Sequence, residues 1–100
     1  MEFYRYYDVS NGEDIIITNI ILVKFYLIKK TPKGYWISSE FQKKRWINKT
    51  AKKRYAYPTK KKALNNFIKR KEQQKSILFY QLEQAKQALS QAKRLNENMQ

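Results

Sequence analysis

The chain has 100 residues, 22 of them Lys or Arg against eight Asp or Glu, giving a formal net charge of +14 with 42% hydrophobic residues. That length supports a single modest core, and so lopsided a charge favours polyanionic partners: nucleic acid first, then anionic membrane surfaces or acidic protein faces. With neither Cys nor His in the chain, disulfide and thiolate chemistry are excluded and the usual proton shuttle and commonest metal ligand are missing.

Glu2 to Val9 carries four aromatic residues in the run EFYRYYDV, which predicts a first strand. Ser10 to Asp14 reads as a turn, and its Glu13–Asp14 pair as a solvated turn rather than a metal site. The most apolar stretch runs from Ile15 to Ile28. At about fourteen residues, and interrupted by Asn19 and Lys24, it falls short of the ~20 that a spanning helix needs. Its β-branched residues predict a core strand or pair of strands, with Asn19 as a candidate break or bulge. Val23 to Ile28 is apolar or aromatic on both faces apart from Lys24, which predicts a central strand with one face under a helix. No basic start or small-residue cleavage pattern precedes it, so the expectation is a soluble cytoplasmic protein without membrane contact.

Thr31-Pro32-Lys33-Gly34 has the proline and glycine of a tight turn, joining Leu27–Lys30 to Tyr35–Ser38 as a hairpin. Arg45 to Lys49 predicts a further strand with Trp46 and Ile47 on opposite faces, and Lys52–Arg54 another turn before Tyr55 and Tyr57. Pro58-Thr59 then opens a helix with Thr59 as N-cap, and no Gly or Pro follows. The fold class is therefore α+β: an antiparallel sheet of four or five strands, followed by one long C-terminal helix of about 35 residues. Leu64, Phe67 and Ile68 are its candidate sheet-facing residues, and the polar stretch Lys69 to Lys75 allows a bend or break near 69–76. Residues 1–75 form the basic domain and 76–100 a helical tail. In the tail, Leu78, Leu82, Ala85 and Leu89 recur at intervals of four and three, a short coiled-coil seam. Two heptads suit either a homodimer or a segment folded back on its own domain.

Charge is concentrated in the middle. Eighteen of the 22 cationic residues lie between Lys24 and Lys75, against only Glu40 and Glu72. Ten fall within Lys43 to Lys62, a run with no acid. The candidate nucleic-acid or partner-binding residues are Lys43, Lys44, Arg45, Trp46, Lys49, Lys52, Lys53, Arg54, Tyr55, Tyr57, Lys60, Lys61, Lys62, Lys69 and Arg70. Lys60–Lys62 occupy a first helical turn that favours acids, so a phosphate would relieve the conflict there. Of the interleaved rings Tyr35, Trp36, Trp46, Tyr55 and Tyr57, half must be core. Trp36 is assigned to the core, and Trp46, Tyr55 and Tyr57 stay open as stacking candidates. There is no RNA-recognition signature, helix-turn-helix, zinc knuckle or Gly-rich phosphate loop. No clustered carboxylates or activated nucleophile suggest catalysis, and the residues imply no cofactor.

The segments KGYWI (Lys33–Ile37) and KRYAYPTKKKALNNFIKRK (Lys53–Lys71) resemble a group of small phage-encoded accessory proteins of mostly unassigned function, over about half the chain. In that group the first turn of the helix often carries acids, where this chain has Lys60–Lys62. The resemblance implies a role in disarming host machinery, including CRISPR effectors, in the host cytoplasm. A nucleic acid, a nucleoprotein complex and a host defence protein are the partners to consider.

Overall fold

The computed structural model describes residues 1–10, 18–40 and 42–99. Four strands, β1 (Glu2–Ser10), β2 (Thr18–Lys30), β3 (Gly34–Ser38) and β4 (Arg45–Asn48), precede one helix, α1 (Lys60–Asn98). The strands pair antiparallel in the order β1-β2-β3-β4, an α+β architecture in which each connection is short enough for neighbours in sequence to be neighbours in space. Ser10, expected to open a turn, is instead the last residue of β1 and pairs with Thr18; the rest of that turn, and Ile15–Ile17 with it, lie outside the described residues.

β2 differs from expectation in one detail. Asn19 pairs in register with Val9 and interrupts nothing, whereas the ladder shifts between Leu27 and Lys29. One extra residue there, Ile28, bends the strand into the hairpin. The Thr31–Gly34 turn is closed reciprocally: Thr31 N–H donates to Gly34 O at 2.9 Å, and Gly34 N–H reaches Thr31 Oγ1 at 3.1 Å. Gly34 serves a second purpose that turn chemistry does not reveal. A Cβ there would lie 2.0 Å from the Ile47 carbonyl oxygen and 2.7 Å from the Trp46 ring, so only hydrogen lets the indole lie over the sheet at that point.

Directly opposed residues share a face. One face gathers Phe3, Phe25, Ile37 and Ile47 into the core, with Val23, Leu27 and Tyr35 beside them. What covers it is the connection after β4 rather than the helix: Ala56 is fully buried in this cluster and Tyr55 packs against it. Two backbone bonds with Tyr4 (2.7 and 2.9 Å) tie Tyr57 to the free edge of β1 as an isolated bridge, not a fifth strand. This pairing caps an edge that would otherwise offer unpaired N–H and C=O groups.

α1 opens as the sequence predicts. Thr59 Oγ1 accepts the Lys62 N–H at 3.2 Å, satisfying one of the free first-turn donors. Its buried residues are Ala63 and Phe67, not the expected set Leu64, Phe67 and Ile68. Positions 63 and 67 share one helix face, and the small Ala63 permits close approach. Phe67 meets the Tyr6 ring at 6.5 Å, and Asn66 donates to the Tyr57 hydroxyl at 3.1 Å. Leu64 and Ile68, one position further round, are exposed.

The chain divides into two compact units, Met1–Ile68 and Lys69–Gln100. In the second, helix continues without a break through 69–76 and on to Asn98, so the tail forms no helical hairpin. Leu78, Leu82, Ala85 and Leu89 are all exposed, as are Ile77, Phe79 and Tyr80. Among the described residues, no helix is long and apolar enough to cross a membrane.

Candidate nucleic-acid interface

Two kinds of cation stand around the sheet, and they do different work. The arginines of the basic run contact the protein itself, Arg54 half-buried and Arg45 exposed. Arg45 lies on the core face, opposite Ile37, with its guanidinium 4.0 Å from the centre of the Tyr55 ring. Arg5 approaches the same ring at 4.2 Å, donates to the Tyr55 carbonyl at 2.6 Å and lies 5.2 Å from the Tyr7 ring. Its Nε is buried without a hydrogen-bond partner, so the aromatic faces and that carbonyl supply most of what offsets its desolvation.

Tyr55 is correspondingly occupied. Its edge meets Phe25 at 5.7 Å, and its hydroxyl contacts that of Tyr7, both converging on Gln42 Oε1 at 2.6 and 3.0 Å. Burial, and then the bond to Tyr55, hold the Tyr7 phenol above the ordinary tyrosine range. A ring enclosed in this way is unavailable for stacking on a base, which removes Tyr55 from the stacking candidates. Tyr57 is a structural junction as well: its hydroxyl receives the Arg54 N–H at 3.2 Å and donates to Lys52 O at 3.3 Å.

The loop after β4 is held from within. Asn48 Oδ1 accepts both the N–H and the hydroxyl of Thr50 at 2.9 Å, an Asx turn. Arg54 donates through Nε to Ala51 O at 3.0 Å and through its terminal nitrogen to Lys49 O. Arg54, expected to meet phosphate, thus clamps the loop that displays Lys49, Lys52 and Lys53, all exposed. Lys43, Lys44, Lys60, Lys61 and Lys62 are exposed too, and the first turn of α1 contains no acid. All these lysines belong to the Met1–Ile68 unit, whereas Lys69 (exposed) and Arg70 (half-buried) belong to the second.

The remaining rings lie on the other face of the sheet. Trp36, assigned to the core from sequence, is half-buried and pairs across to Trp46 on the face opposite Ile37 and Ile47. Strand alternation forces this once Ile37 points into the core. Lys44 Nζ lies 5.3 Å from the Trp36 ring and Lys24 Nζ 5.7 Å from Tyr26, while Lys60 Nζ lies 5.8 Å from Tyr4. Trp46 Nε1 donates to Thr31 Oγ1 at 3.2 Å, which holds the indole beside Gly34.

Glu2 and Asp8 are acids on this face of β1, and Glu40 stands near Lys24 and Tyr26; Glu2 is the one paired with Lys24. Its carboxylate meets Lys24 at 3.0 Å and accepts from the Tyr4 hydroxyl at 3.0 Å. These bonds, Lys24 first, hold Glu2 below the usual carboxylate range, raise Tyr4 through the bond to Glu2, and raise Lys24 likewise.

Arg5, Tyr7, Gln42, Lys24 and Tyr26 are the contributors that the sequence reading missed. Arg5 and Tyr55 are 50 positions apart, and no local pattern joins them. For Tyr26 a signal existed: alternation along β2 puts it on the face opposite Phe25. Among the described residues, no three carboxylates converge in a way that could hold a metal ion. No family model, curated protein or solved structure matches the chain.

Proposed function

We propose that the chain is a non-catalytic nucleic-acid-binding protein, acting on free nucleic acid or within a nucleoprotein complex. Its lysines contact backbone phosphates. The observation that carries this reading is the exposure of every lysine from Lys43 to Lys62, in a run without one acid. Unneutralised charge of one sign over a single unit creates the field that concentrates phosphate, and phosphate contacts of this kind carry little sequence information. Affinity for random-sequence oligonucleotides should therefore fall by roughly 300-fold (single strand) to 2000-fold (duplex) between 50 and 200 mM salt, as expected for six contacts. An affinity that hardly changed over that range would defeat the proposal.

One observation favours a second reading, association with another copy or with a protein partner through the tail. Leu78, Leu82 and Leu89 are each more than half exposed on a heptad spacing. Truncation after Lys75 separates the two. Nucleic-acid binding should survive it, and any self-association or protein capture should be lost.

A further inference from the structure

We infer that the face of the sheet turned away from the core is a stacking platform for single-stranded nucleic acid. This rests on the nucleic-acid reading above and adds to it a ligand class and a second surface. Tyr26 on β2, Trp36 on β3 and Trp46 on β4 share this face. Tyr26 is 49% and Trp46 41% exposed, fractions that leave ring surface available to a ligand. Ile20 and Leu22, exposed on the same face of β2, extend the apolar surface, and a contiguous apolar area of this kind marks a binding site more often than a neutral surface.

Geometry selects the ligand. Trp36 and Trp46 are direct cross-strand neighbours, and Tyr26 lies opposite Ser38, two positions along β3 from Trp36, a diagonal of about 7–8 Å. Three rings thus step across three adjacent strands. Cations accompany them: Lys44 stands at the Trp36 ring and Lys29 pairs across to Trp36. Lys24, beside Tyr26, is countered by Glu2, so the platform is more positive at its tryptophan end.

Rings with flanking cations match a strand whose bases offer free π-faces while its phosphates run alongside. A duplex does not fit. Its bases are already stacked on one another, and four strands about 4.8 Å apart span ~14 Å before side chains, wider than the ~12 Å major groove. An acidic protein face would find the lysines but would leave the rings without a stacking partner.

Trp36 and Trp46 are the two tryptophans of the chain, so their fluorescence reports on this face directly. The full-length protein is titrated with a short oligothymidylate and with a mixed-sequence duplex of equal length, as wild type and as Trp46→Leu and Tyr26→Leu variants. Circular dichroism and a thermal melt verify the fold. Oligothymidylate should quench the tryptophans, and each variant should lose about tenfold or more in single-strand affinity, the scale of one base–aromatic stack, with duplex affinity unchanged.

Binding of both nucleic acids without quenching, or with equal affinity in wild type and variants, overturns the platform and leaves the phosphate-binding function standing. Absence of binding to either overturns both. A wild-type dimer that Trp46→Leu converts to monomer also overturns it, by assigning the face to a second copy. Should a variant fail to fold, the wild-type titration decides alone: quenching specific to the single strand supports the platform, and its absence rejects it.

Discussion

The two faces of the sheet hold the same pair of chemistries, cations against aromatic rings, with opposite results. On the core face Arg5 and Arg45 close upon Tyr55, whose hydroxyl joins Tyr7 and Gln42 in one hydrogen-bonded group. On the other, lysines stand 5.3 to 5.7 Å from Trp36 and Tyr26, and the rings remain partly exposed. Residue type explains the difference. A guanidinium is planar, weakly hydrated and able to donate in several directions, so it can be half-buried against a ring, whereas an ammonium keeps its water and stays at the surface. Arg54 follows the same rule in a loop, giving its donors to backbone carbonyls. A count of positive charges overstates what is available to a ligand, because Arg5 and Arg54 are half-buried and bonded within the fold, while the lysines and Arg45, which also rests on Tyr55, are exposed.

The contrast can be broken most severely at Gly34, which sits under the Trp46 ring. Gly34→Val should cost at least ~3 kcal/mol by denaturant unfolding, since its side chain cannot clear the Ile47 carbonyl. A near-neutral outcome would mean that the indole does not lie where it is described. Next comes the core face. Tyr55→Leu removes ring, hydroxyl and the seat of two guanidiniums, and a loss of ~2–4 kcal/mol is expected. Nucleic-acid affinity, measured where the variant is fully folded, should be unaltered. Selective loss of affinity with stability intact would return Tyr55 to the interface.

Smaller effects sharpen the other side. Replacing Lys49, Lys52 and Lys53 together by Gln should leave stability within ~0.5 kcal/mol. The slope of log affinity against log salt should become shallower by about 2, on the basis of three phosphate contacts to a single strand. An unchanged slope would show that this loop does not touch phosphate. The least effect is a pH dependence. Because Tyr7 titrates above the ordinary tyrosine value when folded, its contribution is fully present below the unfolded value and is lost as pH rises through the folded one. Thermal melts taken from neutral to strongly alkaline pH should therefore show a decline that Tyr7→Phe reduces.

Much of this architecture is legible in the residues themselves. The Thr31–Gly34 hairpin, the pairing of Trp46 and Ile47 on opposite faces, the Thr59 cap and the Gly- and Pro-free helix are local matters, set by turn chemistry, alternation and capping within a few positions. The candidate lysines were legible in the same way, since a cation with no acid nearby in sequence or space stays in solvent. The rings were not. Alternation places Trp36 and Ile37 on opposite faces without saying which face will be covered, and the expectation that half the rings are core assigns Trp36 to the wrong one.

That choice belongs to the tertiary structure. The connection after β4 crosses one face only, bringing Ala56 and Tyr55 down on Phe25 and the neighbouring isoleucines, and its path is fixed by bonds between Tyr4 and Tyr57 and between Arg5 and Tyr55. The sequence by itself thus determined the strands, the turn, the helix and the sign of the surface, because each depends on neighbours along the chain. Contacts some fifty positions apart decided which aromatics became core, which arginines became structural and which face was left open across β2 to β4, α1 meeting that face at its β1 end. No local periodicity encodes where a loop will come to rest.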